Sequence, residues 1–139
     1  MATKPTGLQV TDLDHIVLRV RDVEGAIEFY TQVLGLQPHR VEEYRKGEVP
    51  FPCARVNSGT IIDLLPSPHQ RPIGDGPRNL DHYCLTIAET DMERLSEELA
   101  ELGVEVVSDA PGQRSGARGT ATSIYIRDPE GNRIELRHY

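Results

Sequence analysis

An internal repeat constrains the fold of this chain more than any other feature of its sequence. Residues 13–18 read LDHIVL, and residues 80–85 return as LDHYCL. A second match relates residues 62–64 (IDL) to residues 134–136 (IEL). In each copy an alternating apolar run precedes a helical pattern, and short strand patterns follow. The sequence therefore predicts two similar modules, each too small to be stable alone, that share one core.

Each half is predicted to form a βαβββ module. The first half carries a helix at 23–34, then strands at 36–43, 51–57 and 60–66. The second half carries a helix at 91–102, then strands at 104–107, 121–127 and 132–137. We expect one domain over 8–139, made of module 1 at about 12–66, a linker at 67–79 and module 2 at about 80–139. The fold class is α+β, with the two pseudo-repeated modules building a curved, incompletely closed mixed sheet.

Capping residues mark the ends of both predicted helices. Asp22 is placed to cap the first helix, and Gly35 to end it in the left-handed conformation. The second helix is predicted to begin at a capping box of Thr90 and Glu93 and to end at Gly103.

The alternation of side chains along the strands predicts which residues face away from the helices. In the first strand Ile16, Leu18 and Val20 point together, so His15 lies on the other face. The same reasoning, applied to the other strands, gives a set of side chains that line the concave face of the sheet. This set is His15, His82, Ser123, Tyr125, Glu135 and, on the equivalent strand of the first half, Asp63.

Two histidines at equivalent repeat positions, together with a carboxylate, predict a divalent metal site. A single histidine early in a strand is more often a hydrogen-bonded core residue, but the repeat places His15 and His82 alike. Each has a downstream carboxylate on an equivalent strand. Imidazole and carboxylate ligands suit Zn, Ni, Fe, Mn or Co, and three protein ligands leave positions open for water and substrate. We therefore expect His15, His82 and Glu135 to be the metal ligands.

Several motifs resemble those of the vicinal oxygen chelate superfamily, which contains glyoxalase I, epimerases, extradiol dioxygenases, fosfomycin resistance enzymes and bleomycin-binding proteins. The motifs are LDH at 13–15, AIEFY at 26–30 with LGL at 34–36, and SIYIRDPEGNRIEL at 123–136. The resemblance implies the glyoxalase/bleomycin resistance/dihydroxybiphenyl dioxygenase fold and a metal held by His15, His82 and Glu135. The fourth ligand position falls at Asp63, which is one methylene shorter than the Glu or Gln common there.

The resemblance implies an enzyme that acts on a small molecule with two neighbouring oxygens. For lyase or isomerase chemistry, Glu135 or Asp63 is the candidate base. An extradiol-type Fe(II) dioxygenase is an alternative, with Tyr125 as the polar partner of the bound catecholate. A non-catalytic, bleomycin-resistance-like binding protein is another, although such relatives typically lack the metal ligands that are present here. A bound metal distinguishes the enzyme from the binding protein.

Composition and the resemblance also restrict partners and location. The chain has 22 acidic against 15 basic residues and a net charge of −7, which disfavours nucleic acid as a partner. No apolar stretch approaches a membrane span or a secretory signal, so a cytoplasmic protein without a membrane partner is expected. The resemblance implies a homodimer. The substrate is expected to depend on loops at 43–50, 67–79 and 108–119.

The remaining reactive side chains are predicted to be structural. Cys53 and Cys84 are expected to be reduced, with Cys84 a small buried thiol. Arg114 and Arg118 fit a solvated loop slightly better than an anion-binding lid. The other three histidines are expected at the surface, at His39, His69 and His138.

Overall fold

Each half of the repeat folds as a small mixed sheet with a helix on one face. The computed structural model describes residues 11–67, 80–108 and 110–139. The chain divides into two compact units, Met1–Pro68 (unit 1) and His69–Tyr139 (unit 2). The predicted start of the domain at residue 8, His69, and all of the predicted linker except Ser67 lie outside the described residues.

The described part of unit 1 contains four strands and two α-helices. Their order is β1 (His15–Val20), α1 (Val23–Glu28), β2 (Gln37–His39), α2 (Val41–Arg45), β3 (Cys53–Asn57) and β4 (Thr60–Pro66). A π-helical turn, Phe29–Val33, continues α1. The described part of unit 2 has the order β5 (Tyr83–Thr86), α3 (Met92–Glu101), β6 (Gly112–Arg114), β7 (Ala121–Arg127) and β8 (Arg133–His138).

The strands of both units follow one topology. Over the described residues, the sheet order is β1-β4-β3-β2 in unit 1 and β5-β8-β7-β6 in unit 2. In each unit the first strand pairs in parallel with the last, and the other pairs are antiparallel. The predicted pair of βαβββ modules is therefore confirmed.

Capping chemistry fixes where α1 and α3 begin. The Asp22 side chain accepts the Gly25 N–H at 2.9 Å, and Gly35 has φ of 72°, as predicted. The second cap differs from the prediction, because Asp91 rather than Thr90 accepts the N–H groups of the first turn of α3. An aspartate carboxylate is a stronger acceptor than a threonine hydroxyl and also favours the positive end of the helix dipole.

Two predicted strands are placed differently in the structure. The strand predicted at 36–43 is only β2, because Arg40 adopts a left-handed φ of 59° and α2 begins at the next residue. The acidic first turn and basic last turn of α2 favour a helix there. The segment predicted at 104–107 makes a single bridge, from Val106 to Ile126. Its place in the sheet is taken by β6, which forms a local hairpin with β7.

The helices cover the apolar faces of the two sheets. Along β1, Leu18 and Val20 are buried while Val17 is exposed, so the predicted alternation is confirmed. Contacts join α1 to β4 and α3 to β7. The largest fully buried apolar side chains are Val20, Tyr30, Ile62, Leu64, Ile124, Ile126 and Ile134. This packing leaves the polar face of each sheet available for a site.

The helices are short, and none within the described ranges is long and apolar enough to cross a bilayer.

Candidate functional site

The central strand of unit 2 presents a carboxylate between two neighbouring strands. Glu135 on β8 lies in register with Cys84 on β5 and with Tyr125 on β7. His82 immediately precedes β5, so its ring reaches the same face. The repeat therefore brings a histidine and a carboxylate together within unit 2.

The contacts of Glu135 oxygen Oε1 are short. It lies 3.2 Å from His82 Nε2 and accepts a hydrogen bond from the Tyr125 hydroxyl at 3.1 Å. The rings of His82 and Tyr125 meet edge to face, with centroids 5.2 Å apart. Metal–ligand distances of about 2.1 Å allow two atoms this close together to bind one ion.

The other oxygen of Glu135 is held by arginine. Arg137, two residues along β8, donates to Oε2 from Nη2 at 2.7 Å and from Nε at 3.2 Å. Burial disfavours the charged form of Glu135, but hydrogen bonds from Arg137, Ser123 and Tyr125 outweigh it and hold the pKa of this carboxyl below its usual range. Glu135 is therefore an ionised and firmly oriented ligand candidate.

Asp81 orients the imidazole of His82. The Nδ1 atom of His82 lies 2.7 Å from Asp81 Oδ2. A carboxylate only accepts, so Nδ1 carries a proton, and in the neutral ring the lone pair is then on Nε2, beside Glu135. Two acceptors this close repel unless a proton or a cation lies between them. This geometry fits a metal ligand whose far nitrogen is fixed by a carboxylate.

Unit 1 repeats the arrangement with a wider separation. His15 Nδ1 lies 2.7 Å from Asp14 Oδ2, while His15 Nε2 is 4.0 Å from Asp63 Oδ2. The hydrogen bond to Asp14 raises the pKa of His15 against the smaller effect of desolvation. Asp63 Oδ1 is buried, and it has no hydrogen-bond partner among the described residues. An orphaned carboxylate oxygen is costly and indicates a site for a ligand or a proton.

The two cysteines differ. Burial, and then the hydrogen bond to Asp63, raise the pKa of the Cys53 thiol to about 12, so it is a poor nucleophile. Cys84, in contrast, is exposed, and the prediction that it is buried is wrong. It lies on β5, the edge strand of the unit 2 sheet, in register with Glu135.

Other predictions about single residues also change. Arg114 is not in a solvated loop, because it lies in β6, donates to the Ser123 carbonyl at 2.9 Å and packs 4.9 Å from the Tyr125 ring. Arg118 lies over the Tyr139 ring. The predicted surface residues His39 and His138 are half-buried at strand ends.

The sequence analysis did not select Arg137 as a functional residue, although it contacts Glu135. Alternation along β8 places Arg137 on the same face as Glu135, so the sequence pattern could have identified it.

Neither unit completes a metal site alone. Within each unit, the described residues bring no three His, Cys, Asp or Glu side chains together in a way that could hold an ion. Each unit offers one histidine–carboxylate pair, which is a partial set of ligands of the type that suits Zn, Ni, Fe, Mn or Co.

Paired βαβββ units, each with a histidine and a carboxylate on the polar face of its sheet, are the arrangement predicted from the repeat. A family model for the Glyoxalase/Bleomycin resistance protein/Dioxygenase superfamily matches residues 12–136. The chain belongs to this superfamily, and the predicted resemblance is confirmed.

Individual relatives agree with the family. Virulence protein STM3117 of Salmonella typhimurium (strain LT2) is 34% identical over 127 residues, covering 91% of this chain and 83% of that protein. Its crystal structure superposes with a TM-score of 0.69, at 27% identity, over 95% of this chain and 99% of that one. A probable lactoylglutathione lyase of Vibrio cholerae is 28% identical over 125 residues, covering 88% of this chain and 86% of the relative.

One further crystal structure supports the fold alone. A glyoxalase/dioxygenase from Nostoc punctiforme matches with a TM-score of 0.74 at 22% identity, over 99% of this chain and 96% of that one. The two-module architecture is therefore shared across sequences that have diverged widely.

Proposed function

We propose that this chain is a divalent-metal-dependent enzyme of the lyase or isomerase type that acts on a small molecule with vicinal oxygens. Its proposed metal ligands are His15, His82 and Glu135. The observation that carries the proposal is the pair in unit 2, where His82 Nε2 and Glu135 Oε1 lie 3.2 Å apart. Asp81 and Arg137 fix the far atoms of these two side chains.

The chemistry of the donors supports a metal rather than a purely structural ion pair. In both histidines Nδ1 is hydrogen-bonded to the preceding aspartate, so Nε2 is the ring atom available to an ion. When bound, a divalent ion supplies Lewis-acid polarisation of the two substrate oxygens. The Tyr125 hydroxyl donates to Glu135 Oε1 and keeps this carboxylate oriented.

Of the two candidate bases, Asp63 is better suited than Glu135. Glu135 accepts hydrogen bonds on both oxygens, and its lowered pKa makes it a weak proton acceptor. Asp63 Oδ1 has no hydrogen-bond partner among the described side chains, so no hydrogen bond competes with a proton at that oxygen. We propose that Asp63 is the base and that Glu135 is a ligand only.

The family relationship supports this class of reaction. The Vibrio cholerae relative is described as a probable lactoylglutathione lyase. Arg114 and Arg133 both lie about 5 Å from the Tyr125 ring, which is hydrogen-bonded to Glu135, and their positive charge favours a substrate that bears negative charge. We further propose that the active form is a homodimer, which light scattering of the purified chain tests directly.

Elemental analysis of protein purified without chelator or added metal tests the metal site. We expect near-stoichiometric metal in the wild type and its loss in His15→Ala and in His82→Ala. His39→Ala is the matched control, because His39 lies at the end of β2 and has no part in the proposal. Circular dichroism of each variant separates loss of metal from loss of fold.

The identity of the metal sorts the reaction types. Nickel, zinc, cobalt or manganese would support lyase or isomerase chemistry, whereas iron would favour an oxygen-dependent reaction and overturn the proposed class. A wild type that stays metal-free after reconstitution with each ion would overturn the enzyme and leave a small-molecule-binding protein.

A further inference from the structure

A buried arginine connects the candidate ligand Glu135 to a surface loop. Arg137 has 2% of its surface exposed, and its Nε and Nη2 both donate to Glu135 Oε2. A guanidinium placed in this way occupies one carboxylate oxygen and leaves the other, Oε1, facing His82 and Tyr125. Lysine has no planar fork with which to do the same.

The same guanidinium also holds the loop between β6 and β7, with Nη2 shared between Glu135 and the loop. Nη2 donates to the carbonyls of Arg114 at 3.2 Å and Ser115 at 2.8 Å. Nη1 donates to the Gly119 carbonyl at 3.4 Å and to the Tyr139 hydroxyl at 3.2 Å. The loop at 115–119 is therefore folded around the same guanidinium that holds Glu135.

Gly116 lies directly against this guanidinium. A Cβ atom at position 116 would overlap Nη1 and Cζ of Arg137 and lie 2.7 Å from the Tyr139 hydroxyl. The backbone of Gly116 is exposed, so the absence of a side chain serves the close approach rather than a buried core. Even alanine at this position therefore requires the Arg137 guanidinium or the loop to shift.

We propose that Arg137 is a positioning residue that presents Glu135 to the metal through one oxygen and couples the loop at 115–119 to the metal ligand. This inference rests on the proposed function, because it takes Glu135 as a ligand. The loop at 115–119 belongs to 108–119, one of the segments on which the choice of substrate is expected to depend. Arg137 thus connects the position of this loop to the proposed metal ligand.

Titration with Co²⁺ tests the positioning role, with calorimetry for affinity and the visible spectrum for coordination. Arg137→Met removes the guanidinium, and we expect about tenfold weaker binding, within the range that lost outer-sphere partners of metal ligands cost. The spectrum changes as well, because Oε2 is released. Arg137→Lys keeps the charge but not the fork, and is expected to bind more weakly than the wild type. Arg94→Met is the control, since Arg94 pairs with Glu98 on exposed α3.

Gly116→Ala tests the coupling without changing any residue of the ion pair. We expect it to weaken Co²⁺ binding and alter the spectrum in the same direction as Arg137→Met. Gly59→Ala is the matched control, because a Cβ there meets only Asn57 Oδ1 at an ordinary 3.7 Å. In the wild type, Co²⁺ should slow amide exchange over 115–119, and this effect should vanish in Arg137→Met.

The outcomes separate this inference from the proposed function. If the wild type binds no Co²⁺, the proposed function fails and the inference fails with it. If the wild type binds Co²⁺ and both Arg137→Met and Gly116→Ala match it in affinity and spectrum, only the positioning role is overturned. Tighter binding by Arg137→Met would also overturn it, because the arginine would then act only by charge repulsion. Should Arg137→Met fail to fold, Gly116→Ala and the exchange experiment decide.

Discussion

The two units place a histidine and a carboxylate at equivalent positions but surround the carboxylates differently. Across the antiparallel pair, Glu135 faces Tyr125, whereas Asp63 faces Cys53. Two residues further along its strand, Glu135 is followed by Arg137, whereas Asp63 is followed by Leu65. In unit 2 the carboxylate therefore has a phenol and a guanidinium as hydrogen-bond donors. At the equivalent positions unit 1 has a thiol, which is a weak donor, and a leucine, which is none.

This difference is the basis of the different roles that we propose for the two carboxylates. A carboxylate held on both oxygens is suited to bind a metal in one orientation, whereas one with an unpaired oxygen is suited to accept a proton. The side chains also differ in length. Glu135 is one methylene longer than Asp63, and the histidine–carboxylate separation is 3.2 Å in unit 2 against 4.0 Å in unit 1. Under the proposed roles, duplication of the fold does not duplicate the chemistry.

The largest expected effect is on stability, where matched amide substitutions should separate the units. Glu135→Gln leaves the buried Arg137 without its countercharge, and we expect the free energy of unfolding to fall by about 3 kcal/mol. Asp63→Asn removes a buried charge with an unsatisfied oxygen, and its effect should stay within about 1 kcal/mol. Urea unfolding of the metal-free proteins at pH 7 measures both. Equal losses would contradict the comparison.

The next largest effect is on metal affinity and concerns the two aspartates, one in each unit, that are hydrogen-bonded to the histidines. Asp14→Ala and Asp81→Ala each free an imidazole to rotate, and each should weaken metal binding by about tenfold. Asp12→Ala, which removes a neighbouring exposed carboxylate, is the control for net charge. A loss in only one of the two variants would show that the histidines do not act as equivalent ligands.

Much of this arrangement could be predicted from the sequence because the repeat carries it. The alternation in β1 and the matches IDL and IEL placed the histidines and carboxylates on the polar faces of their sheets. The contacts that distinguish the units could not be predicted in the same way. They depend on the register between β7 and β8, which pairs Tyr125 with Glu135, and on the fold of the loop at 115–119 around Arg137.

Local secondary structure was harder to predict where short segments compete. Periodicity alone extended one strand over 36–43, since it carries no signal for the left-handed turn at Arg40. Periodicity also predicted a strand in the apolar segment 104–107 and not in the polar β6. Hairpin geometry with β7, rather than hydrophobicity, determines the fourth strand of that sheet.

A smaller effect concerns pH and compares an ion pair from each unit. Burial opposes the charge on Glu135, but its hydrogen bonds lower its pKa, and the bond to Arg45 lowers the pKa of the exposed Glu24. A carboxyl with a lowered folded pKa contributes stability above its unfolded value, about 4.3, and loses it as pH falls through the folded value. The acid limb of the stability curve should therefore be shallower in Glu135→Gln.

Salt distinguishes the buried pair from the exposed one. Urea midpoints between pH 7 and pH 3 should show the Glu135→Gln effect at both low salt and about 1 M salt, because a buried pair is little screened. The effect of Glu24→Gln should be confined to low salt. An effect of Glu135→Gln that disappears in high salt would mean that its carboxylate is hydrated.

The smallest effect uses the two cysteines as reporters beside the two carboxylates. Cys84 is exposed and lies in register with Glu135, whereas Cys53 is buried against Asp63 with a pKa of about 12. A thiol-specific reagent should modify one thiol per native chain and two in urea, with the native reaction lost in Cys84→Ser and kept in Cys53→Ser. Burial, and then the charge of Glu135, raise the pKa of Cys84, so Glu135→Gln should speed its modification by a few fold at fixed pH. An unchanged rate in that variant would show that the charge of Glu135 does not act on the thiol beside it.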